Sequence, residues 1–185
     1  MRLRRSNPLF WAGVAVAILV IVVAVAVSVG SSLPREHVAT VRATFKASPD
    51  AVWAVISDPL AAGSWRKDLK KVERIPDING HPAWKEESSS GTVTYELTES
   101  TAPVSRTTRI ADESLPFGGQ WEHTIRAVGS GSELTITERG YVKPALFRFL
   151  ARYIFGHTST MRDVLAALGD RLGEPVTPEI VASGR

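Results

Sequence analysis

The side chains best suited to chemistry lie in one predicted β-hairpin near the end of the chain. Trp121 and His123 alternate with polar residues on its first strand, and Glu138 shares the face of Ile136 on its second. A tight turn at Ser130–Gly131 would place His123 opposite Glu138, with about 4.5–5.5 Å between their Cβ atoms. A carboxylate at that distance orients an imidazole and raises its pKa, which suits a general base or a polar anchor for a ligand. The alternatives are a purely structural pair, or a β-bulge that changes the register.

The signatures of common enzyme classes are absent from the sequence. There is no P-loop, no dinucleotide-binding glycine motif, no His-Glu-x-x-His and no Gly-x-Ser-x-Gly. Because the chain has no cysteine, disulfides, thiolate nucleophiles and cysteine metal sites are excluded. The histidines are too scattered to predict a metal site, and they are His37, His81, His123 and His157. We therefore predict neither a metal nor a cofactor.

Large apolar side chains are the candidates for lining an apolar ligand cavity. They are Trp65, Trp84, Tyr95, Trp121, Phe147 and Met161. Tryptophan and tyrosine combine a large apolar body with a polar tip, and methionine adapts to an irregular wall. For each of them, packing in a core without any ligand is the alternative.

One arginine is a candidate for binding the charged end of a ligand. Arg106 and Arg109 lie on opposite faces of one predicted strand, so only one of them can point inward. Thr108 and Ile110 share the face of Arg106, which favours Arg106 as the inward residue. An inward arginine can hold a carboxylate or a phosphate. An outward salt bridge is the alternative.

The pattern of apolar residues predicts the elements that carry these side chains. His37–Ala47 alternates as a strand with one buried face does. Ser48–Asp50 can cap and begin a helix, and Pro59–Gly63 begins a second short one. Six further strands are predicted at Leu69–Ile75, Ala83–Ser88, Thr92–Ser100, Val104–Ala111, Gly119–Val128 and Glu133–Val142. Apolar residues then recur at helical spacing over Pro144–Leu172, with a bend at Gly156.

This order of elements predicts an α+β fold. Short turns between the strands favour an antiparallel meander. A sheet with one apolar face must be covered, and the long C-terminal helix is the element large enough to cover it. We therefore predict a curved antiparallel sheet of about seven strands around that helix, with a hollow between them that suits an apolar ligand.

Several segments resemble one known superfamily in the same order along the chain. Val41–Trp53, followed by Asp58-Pro59 and Trp65, is similar to the opening of the SRPBCC superfamily. That superfamily includes START-like lipid-transfer domains, birch-pollen-allergen-like proteins and the polyketide cyclase/dehydrase family. Similarity to cyclase/dehydrase-type members continues at Leu115–Trp121, Thr135–Glu138 and Phe147–Gly156. Over residues 37–173 the resemblance implies a helix-grip fold with a hydrophobic ligand cavity, and it implies less about chemistry because one fold hosts many functions.

An uncharged stretch near the N-terminus predicts a membrane anchor. Leu9–Val29 has no charged residue and is long enough to cross the roughly 30 Å hydrocarbon core of a bilayer. A cleaved signal peptide is the alternative, with Ala26–Ser28 as a fair cleavage motif. The predicted organisation is a basic tail at 1–8, the transmembrane helix at 9–29, a linker at 30–36, the ligand-binding domain at 37–173 and a flexible tail at 174–185.

The distribution of charge bears on topology and partners. Three arginines precede the anchor, which favours a cytoplasmic N-terminus and a domain outside the cytoplasm, at the cell membrane. Basic residues soon after the anchor weaken that bias. Beyond the anchor, basic and acidic residues balance, so no nucleic-acid partner is predicted.

The functional hypothesis is a membrane-anchored module that binds a hydrophobic small molecule, lipid-like or polyketide-like. Two alternatives remain open at this point. The chain could be a cyclase or dehydratase that uses His123 and Glu138 as acid–base groups, or a structural or interaction domain without a ligand.

Overall fold

An antiparallel sheet of eight strands forms the body of the protein in the computed structural model, which describes residues 8–183. The helices are α1 (Pro8–Ser32), α2 (Pro49–Ile56), α3 (Ala145–Leu150) and α4 (Ser159–Arg171), with a 3-10 turn at Leu60–Ser64 and a π-helical turn at Ala151–Phe155. The strands are β1 (Glu36–Phe45), β2 (Leu69–Ile78), β3 (His81–Ser88), β4 (Gly91–Thr101), β5 (Ser105–Ile110), β6 (Phe117–Val128), β7 (Gly131–Val142) and β8 (Glu179–Ser183).

The sheet is a curved meander closed by its first strand. The spatial order is β2-β3-β4-β5-β6-β7-β1-β8, so β1 joins the far side of β7. The predicted α+β helix-grip architecture is confirmed. The core lies between the sheet and the helices α2 and α4, and its fully buried members include Val41, Val52, Leu134, Ile136 and Leu165.

Local sequence signals account for the first elements of the domain. The side chains of β1 alternate between buried and exposed, as its apolar pattern predicts. The Ser48 hydroxyl accepts a hydrogen bond from the Ala51 amide at 3.3 Å, and Pro49 occupies the first helical turn of α2.

The C-terminal helix is not continuous, which corrects the prediction of one helix with a bend. Gly156 has a φ of 74°, and its amide donates to the Ala151 carbonyl at 2.9 Å, closing the π-helical turn. A residue with a positive φ cannot continue a right-handed helix, and glycine adopts a positive φ without steric cost. Of the C-terminal helical segments, only α4 therefore contributes to the core, through residues such as Met161 and Leu168, which are 0% exposed.

Part of the tail predicted to be flexible, residues 174–185, forms the edge strand β8 over Glu179–Ser183. β8 pairs with β1, and the Glu179 carboxylate accepts from the Arg42 guanidinium at 3.0 Å. The Glu174 carboxylate accepts from the amides of Lys46 and Ala47 at 2.6 and 2.9 Å. The prediction failed because the outer edge of β1 offers unpaired backbone groups that this short segment can satisfy. Residues 184–185 and the basic N-terminal residues 1–7 lie outside the described part of the chain.

The helix α1 contains an apolar span, Leu9–Ser32, that is long enough to cross a bilayer. Its C-terminal end contacts α3. Arg148 on α3 donates to the Gly30 carbonyl at 2.8 Å, and the same carbonyl accepts from the Leu33 amide at 3.3 Å at the end of α1.

Candidate functional site

A cavity of about 330 Å³ lies between the inner face of the sheet and the helical elements α2, the 3-10 turn and α4. Its apolar wall is built by Ile56, Trp65, Trp84, Trp121, Leu134, Ile136 and Val164. Its polar groups are Asp58, Arg66, Glu86, Tyr95, Arg106, Thr108, Gln120, His123, Glu138 and Thr160. The volume is at the lower end of the range for small-molecule sites, and a mainly apolar wall with a few polar groups is typical of them.

The structure places most of the predicted site residues on this cavity. Those that line it are Trp65, Trp84, Tyr95, Arg106, Trp121, His123 and Glu138. Phe147 and Met161 do not, which corrects their assignment. Phe147 lies on α3, is 45% exposed and is separated from the cavity by the helix break at Gly156. Met161 lies on α4 but is fully buried in the core.

The predicted pairing of His123 with Glu138 is wrong. The β6–β7 turn lies one residue earlier than predicted, at Gly129-Ser130, so Trp121 is opposite Glu138 and His123 is opposite Ile136. Gly129 has a φ of 59°, which favours glycine at that turn position. A turn displaced by one residue shifts every cross-strand pair of the hairpin.

Glu138 has a histidine partner on another strand. Its carboxylate lies 3.3 Å from Nε2 of His37 on β1. The His37 ring stacks on His157, with 3.9 Å between ring centroids. Burial and the neighbouring His37 lower the pKa of His157. Glu138 is therefore held by a contact across the β1–β7 pair and is not free to orient His123.

His123 is electrically neutral at physiological pH, contrary to the predicted rise in its pKa. Burial in the cavity wall, reinforced by the positive charge of Arg106, lowers the pKa of His123 to about 3. Its Nδ1 atom has no hydrogen-bond partner among the described residues. A neutral imidazole in this position can donate or accept one hydrogen bond but is poorly tuned as a general base near pH 7.

Arg106 is a buried cation without a counter-ion. Its side chain is 6% exposed, and its guanidinium forms no ion pair or hydrogen bond within residues 8–183. The guanidinium carbon lies 5.9 Å from the centre of the Trp84 ring, in a cation–π contact. Burial lowers the pKa of Arg106 to about 10, although the negative charge of Glu86 opposes this. The group therefore remains charged at pH 7.

Arg109 lies on the other face of the same strand and has an acidic partner. Its guanidinium donates to the carboxylate of Glu96, which is 0% exposed, at 2.6 Å. Arg109 itself is about half exposed. The two arginines of β5 thus differ in kind: Arg109 forms a salt bridge, and Arg106 faces the cavity unpaired.

Glu86 and Arg66 form part of the site that sequence reasoning missed. Glu86 accepts from Arg66 at 2.9 Å and from the Trp84 indole at 3.0 Å, so its charge is already committed. Arg66 also donates to Asp68 at 2.7 Å. The period of two along β3 places Glu86 on the face of Trp84, and this signal could have identified it. Burial, with the charge of Glu86, raises the pKa of Tyr95, so its phenol stays protonated.

Residues 8–183 contain no cluster of three or more histidine, aspartate or glutamate side chains that could hold a metal ion. The groups that the cavity presents to a ligand include an apolar wall, a neutral imidazole and an unpaired guanidinium.

A curved antiparallel sheet that encloses a helix and an apolar cavity defines the START-like, or SRPBCC, class of ligand-binding domains. Comparison with protein families gives a more specific assignment. The profile described as "Polyketide cyclase / dehydrase and lipid transport" matches residues 36–173, and the chain belongs to this family. No curated protein matches the chain in sequence.

Solved structures share the fold at low sequence identity. A START superfamily protein from Mycobacterium smegmatis is 17% identical, with a TM-score of 0.59 over 74% of this chain and 97% of that one. Norcoclaurine synthase from Thalictrum flavum is 15% identical, with a TM-score of 0.59 over 75% and 87%. A conserved protein from Geobacillus kaustophilus is 14% identical, with a TM-score of 0.62 over 77% and 99%. At these identities the likeness shows the fold alone.

Proposed function

We propose that this protein is a membrane-anchored module that binds a hydrophobic small molecule with an acidic end group. The ligand occupies the cavity between the sheet and α4. Its apolar body contacts the tryptophan-rich wall, and its carboxylate pairs with Arg106. The anchor is α1, with the N-terminus in the cytoplasm and the domain outside it.

The observation that carries this proposal is the unpaired guanidinium of Arg106. A buried charge without a counter-ion destabilises a fold, and buried ionisable groups are normally paired. An anionic ligand in the cavity would supply the missing counter-ion. Glu86 does not take that place, because it forms no ion pair with Arg106 and its two carboxylate oxygens accept from Arg66 and from the Trp84 indole.

The wall of the cavity supports a ligand that is otherwise apolar. Trp65, Trp84 and Trp121 supply large flat surfaces, and Ile136 and Val164 close the opposite sides. With about 330 Å³ available, the site suits a compact molecule or a medium-length chain. Two polar atoms on this wall lack partners among the described residues, Nε1 of Trp65 and Nδ1 of His123, and they can serve polar groups of the ligand.

The test compares a medium-chain fatty acid with its uncharged methyl ester. The full chain is purified in detergent, bound ligand is identified by native mass spectrometry, and both probes are titrated by calorimetry. Removing one member of a buried charge pair costs about 2–5 kcal/mol, so Arg106→Gln should weaken acid binding by about 30-fold or more. Binding of the ester should change by less than about 3-fold, which corresponds to well under 1 kcal/mol.

The matched control is Lys85→Gln, which removes one exposed positive charge from β3, two strands away from the strand of Arg106. It should leave both affinities unchanged. Equal loss for acid and ester in Arg106→Gln would contradict the ion pair. A protein that carries no ligand and binds neither probe would favour an interaction domain without a ligand. Mass analysis of the membrane-extracted chain also tests the anchor, because a cleaved signal peptide would shorten it.

An enzymatic role, as a cyclase or dehydratase, is the second candidate. The unpaired Nδ1 of His123 in the cavity favours it, and norcoclaurine synthase shows that this fold can carry an enzyme. The low pKa of His123 and the separate commitment of Glu138 to His37 argue against general acid–base catalysis at neutral pH. Under this candidate, His123→Ala abolishes turnover of an aromatic polyketide substrate while binding persists.

A further inference from the structure

The segment 145–155, formed by α3 and the π-helical turn, exposes large apolar side chains at the end of the domain that carries α1. Phe147, Tyr153, Ile154 and Phe155 are 45, 59, 63 and 66% exposed. An exposed apolar group of this size on a soluble surface indicates a protein or membrane contact. Within residues 8–183, nothing covers these side chains.

This segment packs against the last turns of α1. Ala26 and Gly30, four residues apart on one face of α1, are buried, whereas most of that helix is exposed. A Cβ atom at Gly30 would overlap the Ala145 carbonyl, so the two backbones are in close contact. Ala26 belongs to the apolar span. If α1 crosses a bilayer, as proposed above, the segment 145–155 lies at the depth of the membrane interface.

A basic pocket of about 200 Å³ adjoins the segment. Its charged lining consists of Arg35, Arg148 and Arg152 against a single acid, Glu36. Arg148 is engaged with backbone carbonyls, including that of Lys143 at 2.6 Å. Arg35 and Arg152 form no ion pair or side-chain hydrogen bond within the described residues. The pocket thus presents two uncommitted guanidinium groups next to an apolar surface.

We propose that this basic pocket binds the phosphate of an anionic phospholipid whose acyl chains lie against the exposed side chains of 145–155. Arginine pairs with phosphate oxygens in a bidentate geometry, and basic residues beside a membrane helix attract anionic lipids. The apolar side chains next to the pocket distinguish a lipid from a soluble anion, because only a lipid satisfies both surfaces. This inference rests on the proposed membrane anchoring.

The headgroup is tested with the full chain released from nanodiscs into native mass spectrometry, using phosphatidylglycerol and phosphatidylcholine. The wild-type chain should retain one phosphatidylglycerol in preference to phosphatidylcholine. Each basic residue near an anionic surface contributes about a 5-fold preference for the anionic lipid. The double variant Arg35→Gln with Arg152→Gln should therefore lower the preference for phosphatidylglycerol over phosphatidylcholine by about 30-fold. The control, Arg162→Gln with Arg171→Gln, removes two exposed arginines of α4 and should preserve it. Equal retention of both lipids by the wild type, or an unchanged preference in the pocket variant, would overturn the proposal.

The depth of the segment is tested by site-directed fluorescence, since the chain has no cysteine of its own. Ile154→Cys, Leu19→Cys and Ser130→Cys are each labelled with an environment-sensitive dye in nanodiscs that contain brominated lipid. Quenching is expected at positions 154 and 19 and not at 130, which lies in the β6–β7 turn. Quenching at 19 without quenching at 154 overturns this inference and leaves the anchor intact. No quenching at 19 overturns the proposed anchoring and, with it, the lipid site.

Discussion

Replacing Arg106 by methionine should make the ligand-free protein more stable, although the side chain is almost fully buried. Methionine has a similar length, no charge and an adaptable shape, so it can fill the same space. Under the proposed function, the charge of Arg106 pairs with the ligand, and without the ligand it destabilises the fold. Stability and function commonly oppose each other at such sites.

The expected size follows from the pKa of Arg106. Burial lowers it from 12.5 to about 10, so the folded state disfavours the charged form by about 3 kcal/mol. The pKa of this base is depressed on folding, so the unfolded chain binds the proton more tightly. The full penalty applies at all pH values below about 10 and is relieved only above that pH. Loss of the cation–π contact with Trp84 destabilises the variant by about 1 kcal/mol, which offsets part of this gain. The net gain is about 2 kcal/mol, or about 4–8 °C in Tm for a domain of this size.

The same substitution at Arg109 should destabilise the protein. Arg109→Met leaves the carboxylate of Glu96, which is 0% exposed, without its partner. Breaking such a pair costs about 2–3 kcal/mol, since the remaining charge stays buried. Two arginines three residues apart on β5 thus provide a matched comparison.

The assay is differential scanning fluorimetry of the full chain in detergent after removal of bound lipid, with circular dichroism to verify the fold. The expected result is a higher Tm for Arg106→Met and a lower Tm for Arg109→Met. A Tm for Arg106→Met that falls as far as that of Arg109→Met would show that the buried charge of Arg106 does not destabilise the ligand-free fold. It would mean that Arg106 stabilises the cavity wall through contacts that do not depend on a ligand.

Three further predictions concern single residues. Between pH 6.5 and 3, His123 binds a proton in the unfolded chain but not in the folded one, so the free energy of unfolding should fall by about 1.4 kcal/mol per pH unit as the pH drops. His123→Gln should flatten this pH dependence, measured by urea titration. An unchanged slope in the variant would contradict the prediction. Glu174→Ala removes two hydrogen bonds that backbone amides donate to the Glu174 carboxylate, so amide hydrogen exchange in β8 should accelerate about 10-fold or more. Equal exchange rates in both proteins would show that the pairing of β8 with β1 is enough to hold it. Gly156→Ala places a side chain at a φ of 74° and should lower the free energy of unfolding by about 1 kcal/mol, a loss absent if the helix break relaxes.

Much of the fold could be predicted from the sequence because its signals are local. The alternation of β1, the cap at Ser48 and the turns between strands depend on residues close together in the chain. The inward position of Arg106 also follows from a period of two shared with Thr108. The tryptophans that line the cavity could also be predicted, since a large aromatic side chain on the apolar face of a strand is expected to be buried.

The predictions that failed depended on geometry beyond local pattern. A shift of one residue in the β6–β7 turn separated His123 from Glu138, and no periodicity distinguishes the two turns because both contain glycine. The partner of Glu138 is His37, which lies 101 residues away in the chain. Phe147 has the spacing of a core residue, but the break at Gly156 directs its helix towards α1.

By itself, the sequence determined the apolar span of α1, the meander of strands and the supply of aromatic and basic side chains for a site. These depend on composition and on periods of 2 and 3.6 residues, which the backbone imposes wherever the chain lies. The packing of the chain, by contrast, leaves Arg106 without a counter-ion while Arg109 has one, and it brings Glu174 and β8 to the edge of the sheet. The physical reason is that burial and pairing depend on which distant groups arrive at the same place, and that is a property of the packed sheet and helices.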